Sequence, residues 1–257
     1  MKNIKAIIFD YDGTLLLENQ STISNNIQTM LTQLKNHHVL IILATGRPFN
    51  HCRYLMDKQL VNYIISANGA LVTNTMGIFH SIALSQNNIH LFNDFCDKNH
   101  LPSSFYTTEL LTNGRFDAHI DLGLREAMNL QARTLDIMTS MHNDPIYLMC
   151  AFCDHKMDAA LKEAFPDLFL SRWHPSIISL LEVEIKKTTG ILKVLEHHSI
   201  LPSECVAVGD GNNDRDMLEL VRYGIAVGDN PNLAVVADFT IDSVETDLID
   251  LLDFLNK

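Results

Sequence analysis

Short apolar runs separated by polar clusters set the rhythm of the first third of the chain. Ile4-Lys5-Ala6-Ile7-Ile8, Val39-Leu40-Ile41-Ile42-Leu43 and Tyr63-Ile64-Ile65-Ser66 have strand length and little alternation, the pattern of strands buried on both faces of a parallel sheet. Between them the apolar spacing turns helical. Ile27, Met30, Leu31 and Leu34 follow Ser24, a residue suited to capping a helix, and His37-His38 close the segment where positive charge suits the helix dipole. Phe49, Cys52, Leu55 and Met56 follow Pro48, which fits a first helical turn. Strand, helix, strand, helix, strand predicts a doubly wound, Rossmann-like α/β parallel sheet.

The cadence then breaks. Leu71-Val72-Thr73 and Gly77-Ile78-Phe79-His80 flank Asn74-Thr75-Met76 and predict a hairpin. From about Ala83 the pieces lose the parallel-sheet rhythm: Leu91, Phe92 and Phe95 sit on one predicted helix. Tyr147 to Phe152, Lys156 to Phe165, Leu168 to Trp173 and Ile177 to Val183 read as a βαββ series. The rhythm resumes near Lys187, with a helix carrying Ile191, Val194, Leu195 and His198 and the strand Cys205-Val206-Ala207-Val208. Short strands at Ile225-Ala226-Val227 and Phe239-Thr240-Ile241 follow, then a helix with Leu248, Ile249, Leu251, Leu252 and Leu255. The expected division is a core of 1–82 and 183–257 around an inserted α/β module of 83–182.

Length and composition fit this picture: 257 residues, 47% hydrophobic and 19% charged, can bury a sizeable core in one large or two small domains. The formal net charge of -12 argues against nucleic acid or an anionic membrane as partner. It leaves room for a small phosphorylated metabolite held by a cation, a lysine and main-chain N–H groups. Five cysteines, an odd number, suit a reducing compartment, and Cys150-Ala151-Phe152-Cys153 falls in a strand, so it reads as core rather than as a zinc or redox pair. Met1-Lys2-Asn3 leads directly into a strand and no apolar stretch approaches the ~20 residues of a membrane span, so a soluble, cytoplasmic protein is expected. The pattern specifies no oligomeric state.

The chemistry begins at Phe9-Asp10-Tyr11-Asp12-Gly13-Thr14-Leu15, where two carboxylates stand one residue apart at the end of a buried strand. Held together there they repel, and a divalent cation with oxygen ligands is the usual remedy; the plain alternative is a polar Asp-Gly turn. Ligands of doubly wound sheets bind outside the carboxyl ends of the strands. Thr45-Gly46 and the run Gly209-Asp210-Gly211-Asn212-Asn213-Asp214 end two other strands at that edge. An Asx-rich turn capping a helix is the alternative for the second run. Lys187 starts a helix, where a cation is unfavourable unless an anion binds beside it; its neighbour Lys186 competes for the same part.

Asp10-x-Asp12-Gly13-Thr14-Leu15, Thr45, Lys187 and Asp210 to Asp214, in that order, resemble the four motifs of the haloacid dehalogenase superfamily of phosphohydrolases. The long insertion, Asn68-Gly69-Ala70 and Lys187-Thr188-Thr189-Gly190-Ile191 resemble its Cof-type branch, which carries an α/β cap domain. The resemblance implies Asp10 as nucleophile and Asp12 as general acid/base. It implies Thr45, Gly46, Asn213, Lys187 and the Tyr11 position as phosphate contacts. It further implies Mg2+ bound by Asp10, the Asp12 main chain, Asp210 and, directly or through water, Asp214. A phosphomonoesterase is then expected, acting on a sugar phosphate or another small phosphorylated metabolite; a phosphotransferase or phosphohexomutase, and a non-catalytic sensor, remain open. Gly228-Asp229-Asn230 and Asp247-Leu248 depart from the family's Gly-Asn-Ala and Asp-Gly. Arg47 either reaches an anion or ties down its own loop. His80, His90, His119, His142, His155 and His174 are scattered without metal-ligand spacing. In the insertion, Arg115, His119, Arg125, Arg172, Trp173 and His174 are candidates to read a leaving group, Trp173 more as packing than as a stacking platform.

Overall fold

The structure, a computed structural model, describes residues 4–17, 20–139, 144–182 and 185–255. β-branched side chains fit a pleated surface covered on both faces, and the apolar runs become strands accordingly. In chain order β1 (Ala6–Phe9), β2 (Leu40–Ala44), β3 (Tyr63–Ser66), β4 (Leu71–Asn74) and β5 (Gly77–Ser81) come first. β6 (Ser103–Tyr106), β7 (Leu110–Thr112), β8 (Asp136–Ile137), β9 (Leu148–Phe152), β10 (Phe169–His174) and β11 (Ile177–Leu181) follow, and β12 (Cys205–Gly209), β13 (Tyr223–Val227) and β14 (Phe239–Ile241) end the series. Two units divide them. One takes the chain up to Gly46, His51–His80 and everything from Lys186; the other takes Arg47–Asn50 and Ser81–Ile185. Arg47–Asn50 was expected in the core, but the Asn50 N–H donates to the Thr108 carbonyl at 3.1 Å and that stretch groups with the insertion.

The core sheet has the order β14-β13-β12-β1-β2-β3-β4-β5. Its pairs are parallel from β14 through β3 and become antiparallel at β4. From β1 the chain steps outward to β2 and β3 and later returns on the other side as β12 and β13. The strand order therefore reverses beside β1, the point at which such sheets bind ligands. Ile8, Ile42, Ile65 and Val72 on the sheet pack against Ile191, Val194 and Leu195. The helix Lys187–His197 that carries these last three lies close because Gly190 permits it: a Cβ there would stand 2.7 Å from Ile65 Cγ2. That close approach also fixes where Lys187, at the start of the helix, projects.

The helix Asn25–Asn36 buries Ile27, Met30, Leu31 and Leu34 and is capped by Ser24, whose Oγ accepts from the Ile27 N–H at 3.2 Å. The same hydroxyl donates to Glu245 Oε1 at 2.9 Å, tying this helix to the closing helix Val244–Leu255. Pro48 lies just outside the next helix, Phe49–Asp57, rather than in its first turn.

In the insertion the sheet order is β10-β11-β9-β6-β7-β8, antiparallel except for β7 with β8. The βαββ series forms as β9, the helix Asp158–Ala164, β10 and β11; the expected strand end at Val183 lies outside the described residues. The apolar pattern did not disclose β6, because Ser103 and Ser104 are fully buried and meet the Cys96 and Cys150 thiols. Leu91, Phe92 and Phe95 do share one helix, Gln86–Lys98, which buries Ile89, Phe92 and Cys96 and leaves Leu91 48% exposed. All five cysteines are free and buried. No described helix is long and apolar enough to cross a membrane.

Ser24→Ala is expected to lower stability by about 1 kcal/mol while Ser24→Thr largely preserves it, read from urea unfolding midpoints.

Candidate active site

Asp10 continues β1 by one residue. Its N–H donates to the Val208 carbonyl at 2.9 Å, and the residue is 6% exposed. Tyr11 turns into the core, where its hydroxyl meets the Tyr54 hydroxyl at 3.0 Å; Tyr54 in turn accepts from the Ile23 N–H at 3.2 Å. Any part Tyr11 takes in phosphate binding therefore falls to its main chain. Asp12 is half-buried, and Gly13 makes the turn with φ 75°. A Cβ on Gly13 would stand 2.1 Å from Asp210 Oδ2, so only glycine lets the turn after β1 approach the turn after β12 this closely. Thr14 joins the same two turns, donating from Oγ1 to Asp210 Oδ1 at 2.9 Å.

β12 delivers Asp210 and, one turn later, Asp214, which is fully buried. Asp214 Oδ2 accepts from the N–H groups of Asp210 (3.1 Å) and Gly211 (2.9 Å), and its Oδ1 accepts from Lys187 Nζ at 2.6 Å. The ammonium of Lys187, a residue 3% exposed, donates to Asp10 Oδ1 as well. Lys186 points elsewhere, pairing with Asp216 at 2.8 Å on a half-exposed surface. Asn213 is exposed, its Oδ1 lying 2.5 Å from where a Gly211 Cβ would be. Thr45 follows β2, the strand next to β1, and is buried; its N–H donates to the Ile65 carbonyl at 2.8 Å. Asn68 Oδ1 stands 3.0 Å from the Cβ position of Gly46.

Carboxylate oxygens of Asp10, Asp210 and Asp214 lie within 4.8 Å of one another, around the one Lys187 ammonium. Burial, then the Asp214 charge, push Asp10 well above the usual carboxylate range against the pull of Lys187. Burial also lifts Asp210 to about 6, with Thr14 opposing and Asp214 assisting. Burial alone would lower Lys187, but the charges of Asp10 and Asp214 outweigh it and hold the ammonium above its ordinary value. Three carboxylates around one ammonium leave surplus negative charge and an all-oxygen donor set, which fits a hard divalent cation. Both Asp214 oxygens are engaged, so its geometry suits holding Lys187 and the Asp210 turn more than direct ligation.

The family model for haloacid dehalogenase-like hydrolases matches residues 7–249. The chain belongs to that family. It is a hydrolase of the phosphatase type, in the Cof-type branch, as the motifs implied. It is 28% identical over 246 residues to YkrA of Bacillus subtilis (strain 168), covering 95% of this chain and 94% of that one. It is 24% identical to the 5-amino-6-(5-phospho-D-ribitylamino)uracil phosphatase YitU of the same organism, covering 86% of each. Among solved structures the subclass IIB sugar phosphatase BT4131 shares the fold, with a TM-score of 0.78 at 22% identity over 96% of this chain and 98% of that one.

Three residues of this phosphatase's site escaped the sequence reading. Thr14 lay inside the quoted motif without a role of its own. Tyr54 was hidden among helical core positions, and Asn230 was set aside as a loop departure although its Nδ2 donates to the Asp210 carbonyl at 2.9 Å. In the insertion the candidates have structural partners. Arg172 is tied to Asp158 at 2.5 Å and to the carbonyls of Cys153, Asp154 and Pro175, and Arg115 pairs with Asp97 at 3.0 Å. His174 meets Glu126 at 3.1 Å, and His119 lies 3.5 Å from Ser176. Trp173, read as packing, is 46% exposed. The charge of Arg47, which groups with the insertion, is felt at the Tyr106 hydroxyl. Arg125 is exposed, and His142 lies outside the described residues.

Gly13→Ala is expected to cost more than about 1 kcal/mol in urea unfolding and to depress turnover further than that loss explains. A pH effect follows from Asp210. Between its ordinary value of 3.8 and about 6 the folded carboxyl holds a proton that the unfolded chain has released. Its contribution to stability is thus present below that window and lost as pH rises through about 6. The metal-free protein should gain more Tm than Asp210→Asn does on going from about pH 7 to about pH 5. Any Tm increment from a fixed concentration of a divalent cation should shrink over the same range, because protons compete with the cation.

Proposed function

We propose that the protein is a Mg2+-dependent phosphomonoester hydrolase working through an aspartyl-phosphate on Asp10, with a small sugar phosphate or similar phosphorylated metabolite as substrate. The single observation that carries this reading is the buried Lys187 ammonium bridging Asp10 and Asp214, beside Asp210. A buried cation at a helix start is a poor structural choice and a good phosphate ligand.

In the proposed reaction an Asp10 carboxylate oxygen attacks phosphorus and the bond to the leaving oxygen breaks. Asp12 gives its proton to that oxygen, then takes one from the water that attacks the phosphoryl group, freeing phosphate and restoring Asp10. Lys187, the Thr45 hydroxyl and the N–H of Gly46 would bind phosphoryl oxygens, with Asn213 and the Tyr11 main chain at the rim. Phosphoryl transfer asks the protein chiefly for such positioning and charge neutralisation. Asp10, Asp210 and the Asp12 carbonyl would hold Mg2+, with Asp214 orienting them from behind. The bound cation would supply the positive charge that keeps the carboxylates ionised and offsets the phosphoryl oxygens. The names of YitU and BT4131, which act on a phosphoribityl compound and on sugar phosphates, support a phosphorylated polyol or sugar as the substrate class.

Phosphate release from para-nitrophenyl phosphate and a panel of sugar phosphates tests the reading. Turnover should require Mg2+, vanish with chelator and fall at least about 10^3-fold in Asp10→Asn. Undiminished release by Asp10→Asn would contradict it. Transfer to an added sugar without free phosphate would favour the phosphotransferase or phosphohexomutase.

A further inference from the structure

Asp210 is held from three sides. Its N–H donates to Asp214 within its own turn, its carboxylate accepts from Thr14 after β1, and its carbonyl accepts from Asn230 after β13. The first two contacts belong to the motifs already described. The third does not, and it comes from the stretch Gly228-Asp229-Asn230 that departs from the family's usual residues.

The orientation of the Asn230 amide is fixed by its other end. Oδ1 accepts from the Asn232 N–H at 3.1 Å and caps the short helix Pro231–Ala234. The NH2 group must then face Asp210, giving one proton to the Asp210 carbonyl at 2.9 Å and lying 3.3 Å from Asn212 Oδ1. Asn230 sits on a turn set by Gly228, with φ 73°, whose N–H is anchored to the Ile241 carbonyl at 2.9 Å. The tether therefore runs from β14 and β13 to the peptide that follows β12.

We propose that Asn230 is a positioning residue for the metal site: it holds the Asp210–Gly211 peptide so that the Asp210 carboxylate stays beside Asp10 and Asp214 when no cation is bound. Mutual repulsion among these carboxylates favours rotating that peptide and carrying Asp210 away. Rotation would turn the carbonyl off the Asn230 NH2 group and break that 2.9 Å hydrogen bond in a half-buried place. The tether thus removes a rearrangement that a cation would otherwise have to drive. This inference rests on the reading of the site as a divalent-metal centre.

Mg2+ titration calorimetry on the whole protein without substrate, with Tm of the metal-free form, tests it. Asn230→Ser and Asn230→Gly both keep a residue able to cap the helix, and neither reaches Asp210. Each should bind Mg2+ about tenfold or more weakly, the size usual for loss of a residue behind a metal ligand. Their metal-free Tm should stay near that of the wild type. Asn232→Ala, which keeps the N–H that Asn230 accepts and removes only the exposed Nδ2 contact to Asn212 Oδ1 at 3.2 Å, should leave Mg2+ affinity unchanged. Wild-type affinity in both Asn230 variants would overturn this inference and leave the metal reading standing. An affinity loss matched by an equal loss in Asn232→Ala would also overturn it. A wild-type protein that binds no Mg2+ would overturn the metal reading itself.

Discussion

One buried ammonium against three carboxylates is the constraint on which the core depends. Lys187 bridges Asp10 and Asp214, and Asp210 stands beside them with no ion pair of its own among the described residues. Removing one partner from a buried, hydrogen-bonded charge cluster is costly, since it strands the others out of water. The fold accordingly holds each member from several sides. Asp10 is locked into the sheet through Val208, Asp214 is pinned by two main-chain N–H groups, and the Lys187 helix is set down on β3 through Gly190. The negative surplus that remains is what a divalent cation would offset, leaving Lys187 to face an anionic phosphoryl group.

The arrangement follows from the sheet topology. β1 and β12 are neighbours and parallel, so their carboxyl ends deliver Asp10 and Asp210 side by side, and β2 delivers Thr45 one strand over. Thr14 and Gly13 then knit the two loops at contact distances that no larger residue at Gly13 would allow. Helix start, strand ends and turns each contribute one group, and no single segment could assemble the cluster alone.

Much of this was legible in the chain. The doubly wound core could be read because parallel strands buried on both faces are near-continuous apolar runs, and polar clusters at their ends stand out against them. The order of Asp10, Thr45, Lys187 and Asp210 carried the family, and the family model bears that resemblance out. What escaped was of two kinds. β6 was disguised by Ser103 and Ser104, polar residues fully buried against cysteines, so no apolar pattern marked it. Tyr54 and Asn230 act across the fold, through hydroxyl and amide contacts to segments 31 and 20 residues away in the chain. Periodicity describes an element's own face and is blind to such partners. Arg172 shows the converse: a long cationic side chain that is a candidate ligand contact in the sequence is taken up by Asp158 and the carbonyls of Cys153, Asp154, His174 and Pro175.

The central claim is that this cluster makes Asp10 the group that takes the phosphoryl group. Rapid quenching of the enzyme during turnover with Mg2+, followed by peptide mass spectrometry, tests it most directly. The account predicts one phosphoryl group on the peptide containing Asp10, formed and lost at rates compatible with turnover and absent from Asp10→Asn. Steady turnover with no phosphorylated Asp10 at any quench time, and with Asp10→Asn still active, would contradict it.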